Sequence, residues 1–572
     1  MDVNGNPTAF AGPHGGAYRP PLTCRNGVVT SAHYLASQAG ARILMQGGNA
    51  IDAAVATAAT LNVVEPYMSG IGGCGYMLVN HAASGQHHAL DFMATTPAGL
   101  DPARVERHDQ LADSSMGTFV PGNLAGWLAA LDRFGTMDRA TVFAPAIAYA
   151  EDGYAVSIRN SELIAASAPR LLRWGDGSPY LFDGRPPRHG ETIRQPALAA
   201  TFRAIVEGGV EPVYRGEIGR SLVRASEAAG GFLSMDDLAR FKVEWKTPIE
   251  RTYRGYSIRT VPPTSSGLQF LIDFGLLEGF DLASLGHNSV DHLHFFIEAT
   301  KLAVADRIVH GANENAPVAE LLADDYLATR RQLIDPTRAA ISGGERFARR
   351  QAVGEVVAGL PREGGFRGEN TTHFSVVDRA GNAVSVTQSL GSGFGCGAVA
   401  RDVGLALNNF AFWMDRDPTS PNALGPGKRM ECPMSPAQVF RDGRLVLAIG
   451  TPGGVGILQT TAQMISNVLD FGMNIQAAIE APRIRCALPS GEDPAAFAIG
   501  GLDPNLRGSM VRLEDRIGPD VRAGLTARGH AIELLGPWSM AVGGGQGVTV
   551  DLETGAISGG ADPRRDGYAI GF

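Results

Sequence analysis

The chain contains 572 residues, of which 44% are hydrophobic and 19% charged, a balance typical of a globular protein with a large core. Its net charge of −9 argues against nucleic acid as a partner and against binding to an anionic membrane surface. The five cysteines are scattered and form no CxxC pair, so the sequence predicts neither a disulfide framework nor a structural metal site.

The N-terminal segment is rich in glycine, proline and alanine, and we expect residues 1–25 to form an arm without regular structure. Residues 1–20 lack the apolar core of a secretory signal, which leads us to expect a cytoplasmic protein. No run of about 18 apolar residues occurs in the chain, so we expect no membrane-spanning helix.

Two helices are predicted after this arm. In the first, Leu35, Ala39 and Ile43 recur at helical spacing. In the second, Asn49 is a favourable N-cap residue for an alanine-rich segment, residues 50–62. The small side chains of this segment allow close packing, so we expect it in a core layer.

A glycine-rich segment, residues 70–75, comes next and leads into an apolar strand over residues 76–79. Its glycines match the pattern GxGxxG, which can bind the pyrophosphate of a dinucleotide. That fingerprint requires a strand, then the glycines, then a helix, whereas here the order is helix, glycines, strand. We therefore predict that the glycines permit a close crossing of backbones and do not bind a nucleotide.

The predicted secondary structure changes near residue 371. Residues 98–350 show mostly helical periodicity, including a long helix over residues 290–308. After residue 371 strands and turns prevail, and a hairpin is predicted over residues 372–389. This pattern fits either two domains or one layered core built by both halves, and periodicity alone does not decide between them.

The motifs of several common hydrolase and binding-protein classes are missing. The chain has no G-x-S-x-G elbow, H-E-x-x-H sequence, EF-hand loop or Walker A sequence. His292 and His294 are two positions apart on the predicted long helix, so their side chains point to different sides and do not form a metal pair. We expect no metal ion and no organic cofactor.

The ten residues from Glu369 to Asp378 allow two interpretations. Thr371 can simply begin a β-strand, a common place for threonine, and these residues alone favour that interpretation. Alternatively, the protein cuts its own Asn370–Thr371 bond, which frees the Thr371 α-amine to act as a base for the Thr371 hydroxyl.

Sequence blocks distributed over most of the chain bear on this choice. They comprise residues 46–54, 64–66, 70–75, 120–122, 253–256, 262–267, 298–307, 371–373, 407–409, 425–429, 434–436 and 452–454. With these blocks the sequence resembles the gamma-glutamyltransferase (gamma-glutamyltranspeptidase) family of N-terminal nucleophile hydrolases. The resemblance implies an α+β fold, a four-layer αββα sandwich. It also implies a proenzyme that cleaves itself into a large subunit, residues 1–370, and a small subunit, residues 371–572, which stay together and share one core.

The resemblance assigns four catalytic positions. Thr371 is the nucleophile, and its α-amine, with an unperturbed pKa of about 7.7–8.0, is the base. Its attack on an amide would form an acyl ester on Thr371, which water or a second amine would release. Gly453 and Gly454 correspond to the family's oxyanion pair, whose backbone N–H groups stabilise the developing negative charge. Ser389 corresponds to a second hydroxyl that supports the nucleophile.

The positions that would bind a gamma-glutamyl group depart from the family pattern. Met93 stands where the family has an arginine for the substrate carboxylate, and methionine cannot form a bidentate ion pair. Gly391 replaces an asparagine, and the segment over residues 415–425 is shorter than the lid of some members. Phe410, Trp413 and Cys432 also stand where the family has polar residues. The full set of substrate-binding positions implied by the resemblance is Met93, Asn409, Phe410, Trp413, Cys432 and Ser435.

These changes replace ionic and polar groups with apolar and aromatic ones. We predict a self-cleaving amidohydrolase or acylase that keeps the threonine chemistry and acts on a small amide other than a gamma-glutamyl compound. Two alternatives stay open: a true gamma-glutamyltransferase or glutathione hydrolase with a rearranged carboxylate site, and an unprocessed, non-catalytic binding protein. We expect the two fragments to bind each other, we expect neither nucleic acid nor a membrane as a partner, and a homo-oligomer is left open.

Overall fold

Two antiparallel sheets packed face to face form the centre of the molecule. The computed structural model describes residues 17–340, 370–487 and 510–572, and the sheets have seven strands each within these ranges. Helices cover the outer face of each sheet, so the chain builds the four-layer αββα sandwich that the resemblance implies.

The strands, numbered in chain order, are β1 Leu22–Cys24, β2 Gly27–Ser31, β3 Cys74–His81, β4 Gln86–Asp91, β5 Tyr154–Ala155, β6 Thr192–Ile193, β7 Glu244–Lys246, β8 Ile249–Tyr253, β9 Tyr256–Thr260, β10 Asn370–Asp378, β11 Ala383–Gly391, β12 Val399–Ala400, β13 Leu405–Ala406, β14 Ala437–Arg441, β15 Arg444–Gly450, β16 Ile484–Ala487, β17 Met510–Glu514, β18 Ala531–Leu535, β19 Gln546–Val550, β20 Ile557–Ala561 and β21 Tyr568–Gly571.

The α-helices are α1 Tyr34–Met45, α2 Ala50–Val64, α3 Asp109–Asp113, α4 Asn123–Phe134, α5 Arg139–Asp152, α6 Ile158–Arg173, α7 Pro196–Gly208, α8 Glu211–Tyr214, α9 Glu217–Ala228, α10 Met235–Arg240, α11 Leu268–Leu277, α12 Leu282–Leu285, α13 Val290–His310, α14 Val318–Leu321, α15 Asp324–Arg331, α16 Gly456–Leu469, α17 Ile475–Glu480 and α18 Pro519–Ala527. Short 3₁₀ turns lie at Ala82–Ser84, Pro102–Arg104, Ser115–Gly117, Phe410–Trp413 and Met540–Val542.

Each large sheet combines strands from both sides of residue 370. Sheet 1 has the order β1-β20-β19-β15-β14-β9-β8, and sheet 2 has the order β21-β2-β10-β11-β3-β4-β7. Strand β10 lies near the middle of sheet 2, between β2 and β11, and faces β15 and β19 of sheet 1. The open choice between two domains and one core is therefore decided in favour of one shared core.

The outer layers follow from helices whose apolar surface faces a sheet. Helices α1, α2 and α4 cover sheet 2, while α11, α16 and α17 cover sheet 1. Helix α2 is buried along its whole length, which its alanines permit. The predicted cap is confirmed, because Asn49 Oδ1 accepts hydrogen bonds from the backbone N–H groups of Ile51 and Asp52 at 2.8 and 3.1 Å. No helix in the described ranges is long and apolar enough to cross a bilayer.

The prediction of an N-terminal arm without regular structure is wrong for β1. This short strand pairs with β20 at the edge of sheet 1, with Leu22 opposite Gly559. Pairing is favourable there because Leu22 and Cys24 pack against the apolar cluster between the sheets. Residues 1–16 lie outside the described ranges.

The glycine-rich segment before β3 is a close crossing of backbones, as predicted. A methyl group on Gly72 would lie 2.0 Å from the carbonyl oxygen of Ala406, and one on Gly73 would lie 2.1 Å from that of Ser389. Both distances are far below van der Waals contact, and both obstacles are backbone atoms. Only glycine fits, and the crossing brings the start of β3 against the end of β11.

We expect Gly73→Ala to lower the free energy of unfolding by about 3 kcal/mol or more, because the new methyl group must displace the backbone of β11. Thermal unfolding would show this as a loss of several degrees in Tm. Gly536→Ala is the matched control, since a methyl group there meets no atom within 4 Å. Equal melting temperatures for the two variants would contradict the crowded crossing.

Candidate active site

The predicted cleavage bond lies at an irregularity in the pairing of β10 with β11. Asn370 pairs with Gly391, whereas the next residue, Thr371, pairs with Ser389, so Leu390 is an extra residue on β11. The N–H of Leu390 instead donates to the carbonyl of Met68. Such bulges re-aim side chains and are frequent beside active sites. Sequence patterns did not reveal this bulge.

The bulge brings three polar groups into one hydrogen-bond chain. The Thr371 hydroxyl donates to Ser389 Oγ at 3.3 Å, and the Ser389 hydroxyl donates to the Asn370 carbonyl oxygen at 2.5 Å. The N–H of Gly391 also donates to Ser389 Oγ, at 2.8 Å. These bonds use the full capacity of the Ser389 hydroxyl, so the direction of each hydrogen is fixed. Thr371 is 5% exposed and Ser389 2% exposed, so water screens these groups little.

His373 is the imidazole nearest to Thr371 along β10, and it is not placed to act as a base. Its Nδ1 contacts the Thr387 hydroxyl at 2.9 Å and its Nε2 the Ser375 hydroxyl at 3.0 Å, so both nitrogens are occupied. Burial lowers the pKa of His373 to about 3 and keeps the ring neutral.

The predicted oxyanion pair lies in a turn that leaves sheet 1 beside β10. Strand β15 ends at Gly450, and a methyl group on Gly450 would lie 2.4 Å from Cε1 of His373. The turn therefore begins two residues along β10 from Thr371. Gly453 and Gly454 have φ values of 131° and 54°, a region where side chains cause strain, so the turn depends on glycine.

The structure places a cation next to Met93, at the position where the family's carboxylate-binding arginine is absent. Arg429 donates from Nη1 to the Met93 carbonyl at 2.7 Å and to Asp91 at 3.0 Å. Its guanidinium also pairs with Glu244 at 2.6 Å and with Glu314 at 3.0 Å. The same three carboxylates also pair with Lys246, so this guanidinium is already bound by protein carboxylates that it shares with a second cation. The sequence block that contains Arg429 was recognised, but its neighbours were not predictable.

Cys432 and Ser435 belong to a segment joined to the loop over residues 264–266. The Cys432 N–H donates to the Thr264 carbonyl at 2.9 Å, and the Cys432 carbonyl accepts from the Ser266 N–H at 2.8 Å. The Ser435 and Ser265 hydroxyls are 2.9 Å apart. Burial raises the pKa of the Cys432 thiol, so this group stays neutral and behaves as a small apolar side chain.

Asn409 closes the site at the end of β11. Its Oδ1 accepts from the Ser392 N–H at 3.0 Å, and its Nδ2 donates to the Ala112 carbonyl at 2.8 Å. A methyl group on Gly391 would lie 2.4 Å from Asn409 Oδ1. The Asn409 amide therefore occupies the space in which a side chain at position 391 would lie. Its contact with substrate stays a prediction.

The two predicted aromatic positions differ in their surroundings. Phe410 is buried and meets the edge of Phe119, with ring centroids 5.9 Å apart. Trp413 is half-buried and lies edge-on to Phe412 at 6.2 Å. The following loop closes on itself, because the Leu424 N–H donates to the Asp415 carbonyl at 2.7 Å. Contacts of Phe410 and Trp413 with a substrate stay predictions.

A buried carboxyl that sequence reasoning missed lies beside β10 on the face opposite Thr371. Glu65 follows α2 and neighbours the Thr372 hydroxyl and the Arg565 guanidinium. Burial raises the pKa of Glu65 to about 7, although Arg565 and Thr372 act to lower it. The signal available in the sequence was the Val-Glu-Pro block at residues 64–66.

Among the described residues, His294, Glu298 and His530 form a close buried group with metal-ligand chemistry. His294 Nδ1 is 2.9 Å from His530 Nε2, and Glu298 pairs with Lys301 at 2.7 Å. These groups already bind one another, and the lysine charge disfavours a cation. We interpret the group as a structural hydrogen-bond network.

Comparison with known proteins extends over nearly the whole chain. The family model described as Gamma-glutamyltranspeptidase matches residues 36–572. The Acylase ACY 1 proenzyme of Pseudomonas sp. (strain SE83) is 34% identical, with 96% of this chain and 94% of that protein covered. The Glutathione hydrolase proenzyme of Bacillus subtilis (strain 168) is 33% identical, with 96% and 92% covered. The crystal structure of cephalosporin acylase from Bacillus halodurans superposes with a TM-score of 0.83, at 31% identity and 99% coverage of both chains.

We expect Glu65→Gln to flatten the pH dependence of stability between pH 5 and pH 8. Because the folded pKa of Glu65 is raised above its ordinary 4.5, the native state holds a proton that the unfolded state loses. Its contribution is complete below about pH 4.5 and is lost as the pH rises through about 7, by about 3 kcal/mol in total. Thermal unfolding of the wild type and of Glu65→Gln across this pH range measures the difference. Parallel plots of Tm against pH for the two proteins would contradict the raised pKa of Glu65.

Proposed function

Because the chain belongs to the gamma-glutamyltranspeptidase family, we propose that it is a self-cleaving N-terminal threonine amidohydrolase that works through an acyl ester on Thr371. The observation that carries this proposal is the hydrogen-bond chain from the Thr371 hydroxyl through Ser389 to the carbonyl of Asn370. It joins the nucleophile to the bond that must break first.

Self-cleavage uses this chain in the intact protein. The Thr371 Oγ attacks the carbonyl carbon of Asn370 and passes its proton to Ser389 Oγ, while the Ser389 hydroxyl gives its own proton to the Asn370 oxygen along the hydrogen bond that already joins them. This relay leaves a neutral tetrahedral intermediate and no charge on Ser389. The C–N bond then breaks, the proton of the Asn370 hydroxyl passes to the Thr371 nitrogen, and an Asn370–Thr371 ester remains. Water hydrolyses this ester, leaving a carboxylate on Asn370 and a free amine and hydroxyl on Thr371.

Amide hydrolysis repeats the same chemistry on a substrate. The free α-amine accepts the proton of the Thr371 hydroxyl. His373 is a poor base for this step, because both of its ring nitrogens are hydrogen-bonded and burial lowers its pKa to about 3. The hydroxyl oxygen attacks the amide carbon, the N–H groups of Gly453 and Gly454 stabilise the oxyanion, and the amine product leaves with one proton. Water then releases the acid from the ester on Thr371.

The substrate is an amide whose acyl group is less charged than gamma-glutamyl. Met93 offers no charge, and Arg429 beside it already pairs with Asp91, Glu244 and Glu314. The same carboxylates also pair with Lys246. A free substrate carboxylate would therefore have to compete with three protein carboxylates for the same guanidinium. The relatives that are named acylases support an amide of this kind as the substrate. The amide of a cephalosporin is one such compound to test.

A glutathione hydrolase is the second candidate, because relatives with that name match the chain almost as well. Arg429 is the residue that would bind the carboxylate of a gamma-glutamyl substrate in that case. If a substrate carboxylate displaced Glu244 and Glu314, which are half-exposed, Arg429 would become a carboxylate site. The two candidates share the chemistry at Thr371 and differ only in the acyl group.

We expect the purified wild-type protein to give two fragments with the masses of residues 1–370 and 371–572. Thr371→Ala removes the attacking oxygen and should give one uncleaved, inactive chain. Ser389→Ala should slow cleavage about 10²- to 10³-fold, the usual effect of losing one oxyanion donor. Intact-mass spectrometry over a time course measures both rates.

Ser385→Ala is the matched control for Ser389→Ala. Ser385 is buried on the same strand, but its hydroxyl donates to the Ala437 carbonyl at 3.4 Å, away from the cleavage bond. The Ser385→Ala variant should cleave itself at the wild-type rate. A wild-type protein that stays full-length would support the non-catalytic alternative and would overturn the proposal.

We expect kcat/KM for phenylacetyl p-nitroanilide to exceed that for gamma-glutamyl p-nitroanilide by about tenfold or more, since one desolvated, unpaired charge costs more than 1.4 kcal/mol. Release of p-nitroaniline reports both reactions with the same leaving group. Faster turnover of the gamma-glutamyl compound, with competition by glutathione, would favour the second candidate.

A further inference from the structure

Thr451 connects the predicted oxyanion turn to a second glycine-rich loop, residues 543–545. It is fully buried, at 0% exposed. Its hydroxyl donates to the carbonyl of Pro452 at 2.9 Å and accepts from the N–H of Gly544 at 2.8 Å. A single side chain thus holds the turn at one end and the neighbouring loop at the other.

The loop over residues 543–545 is itself fixed by buried charge. The Gly545 N–H donates to Asp562 Oδ2 at 2.9 Å, and the Asp562 N–H donates to the Gly545 carbonyl at 3.0 Å. Asp562 pairs with Arg483 at 2.5 Å and with Arg564 at 3.0 Å, and these three side chains are fully buried. The charge-assisted bonds make this loop a rigid support.

The Thr451 side chain packs tightly against the backbone of the second loop. A methyl group on Gly543 would lie 2.3 Å from Thr451 Oγ1, far below van der Waals contact. This close approach and the two Thr451 hydrogen bonds hold the turn and the support together.

The carbonyl of Pro452 and the N–H of Gly453 belong to the same planar peptide group, in which they point in opposite directions. A hydrogen bond that fixes the Pro452 oxygen therefore also fixes the direction of the Gly453 N–H. We propose that Thr451 is a positioning residue that aims the Gly453 N–H at the oxyanion. This inference rests on the proposed function, in which Gly453 is one of the two donors.

Thr451→Val tests it, because valine keeps the shape of threonine and loses both hydrogen bonds. We expect kcat per mole of cleaved protein to fall between about tenfold and a hundredfold, less than the usual loss when an oxyanion donor is removed outright. KM should stay within about twofold, since the bond matters only when the oxyanion forms. Thr451→Ser, which keeps the hydroxyl, should restore kcat to within about threefold of wild type.

Thr57→Val is the matched control. Thr57 is also fully buried, but its hydroxyl donates to the Ala53 carbonyl of its own helix at 2.7 Å. The Thr57→Val variant should lose about as much stability as Thr451→Val and keep the wild-type kcat. If Thr451→Val does not fold, Thr451→Ala replaces it, because alanine removes both bonds and adds no atom to the turn.

An unchanged kcat in Thr451→Val or Thr451→Ala, equal changes in kcat and KM, or a serine variant no better than valine would each overturn the positioning role. Thr371→Ala separates this failure from that of the proposed function. An inactive Thr371→Ala with a normal Thr451→Val would remove only the positioning role, whereas an active Thr371→Ala would remove the threonine mechanism as well.

Discussion

The hydrogen bond from the Ser389 hydroxyl to the Asn370 carbonyl is the interaction on which the candidate site depends. It exists because β11 carries one residue more than β10 at this point, so that Ser389 pairs with Thr371 while Gly391 pairs with Asn370. In a regular ladder the Asn370 carbonyl would bond to a backbone N–H, and no hydroxyl would reach it. The bulge thus turns a buried peptide bond into one that a neighbouring hydroxyl polarises.

Neighbouring elements hold this arrangement in place. Gly73 lets β3 approach so closely that only a hydrogen atom fits against the Ser389 carbonyl, which fixes the position of β11. Asn409 fills the space beside Gly391 and bonds to Ser392, which fixes the strand end. A site whose reacting groups move little on the way to the transition state gains most from such support.

Much of the fold was predictable because its signals are local. Asn49 marked the start of α2 by its capping chemistry, and the alternation after Thr371 indicated the β10–β11 hairpin. The glycines before β3 were predicted to allow a close crossing of backbones, and Gly72 and Gly73 do so. The sequence blocks indicated Thr371 and Ser389 together, and the structure brings their hydroxyls within 3.3 Å.

The remaining features depend on contacts between residues far apart in the chain. No local pattern shows that Arg429 lies against Met93, because 336 positions separate them. The charge of Glu65 depends on burial beneath β10 and on Arg565 from the C-terminal segment. The bulge at Leu390 has no local signal either, since its N–H and C=O are bonded by Met68 and Asn409 from other segments. The N-terminal strand β1 was missed for the same reason, because its partner is β20.

Specificity and chemistry are separable in this site. The groups proposed to make and break bonds lie between the two sheets, on β10, on β11 and in the turn after β15. Most positions that differ from the family pattern lie on connecting segments, namely Met93 after β4, and Phe410, Trp413 and Cys432 between β13 and β14, whereas Gly391 is the last residue of β11. Connecting segments change with little effect on the core, so a new acyl group can be accommodated while the nucleophile stays the same.

Covalent trapping tests the central claim most directly. The processed protein is mixed with phenylacetyl p-nitroanilide, quenched in acid during turnover and analysed by mass spectrometry of the 371–572 fragment and its peptides. The account predicts a phenylacetyl adduct on the N-terminal Thr371 that disappears when the substrate is exhausted. Turnover with no adduct, or with the adduct on Ser389 or any other residue, would contradict it.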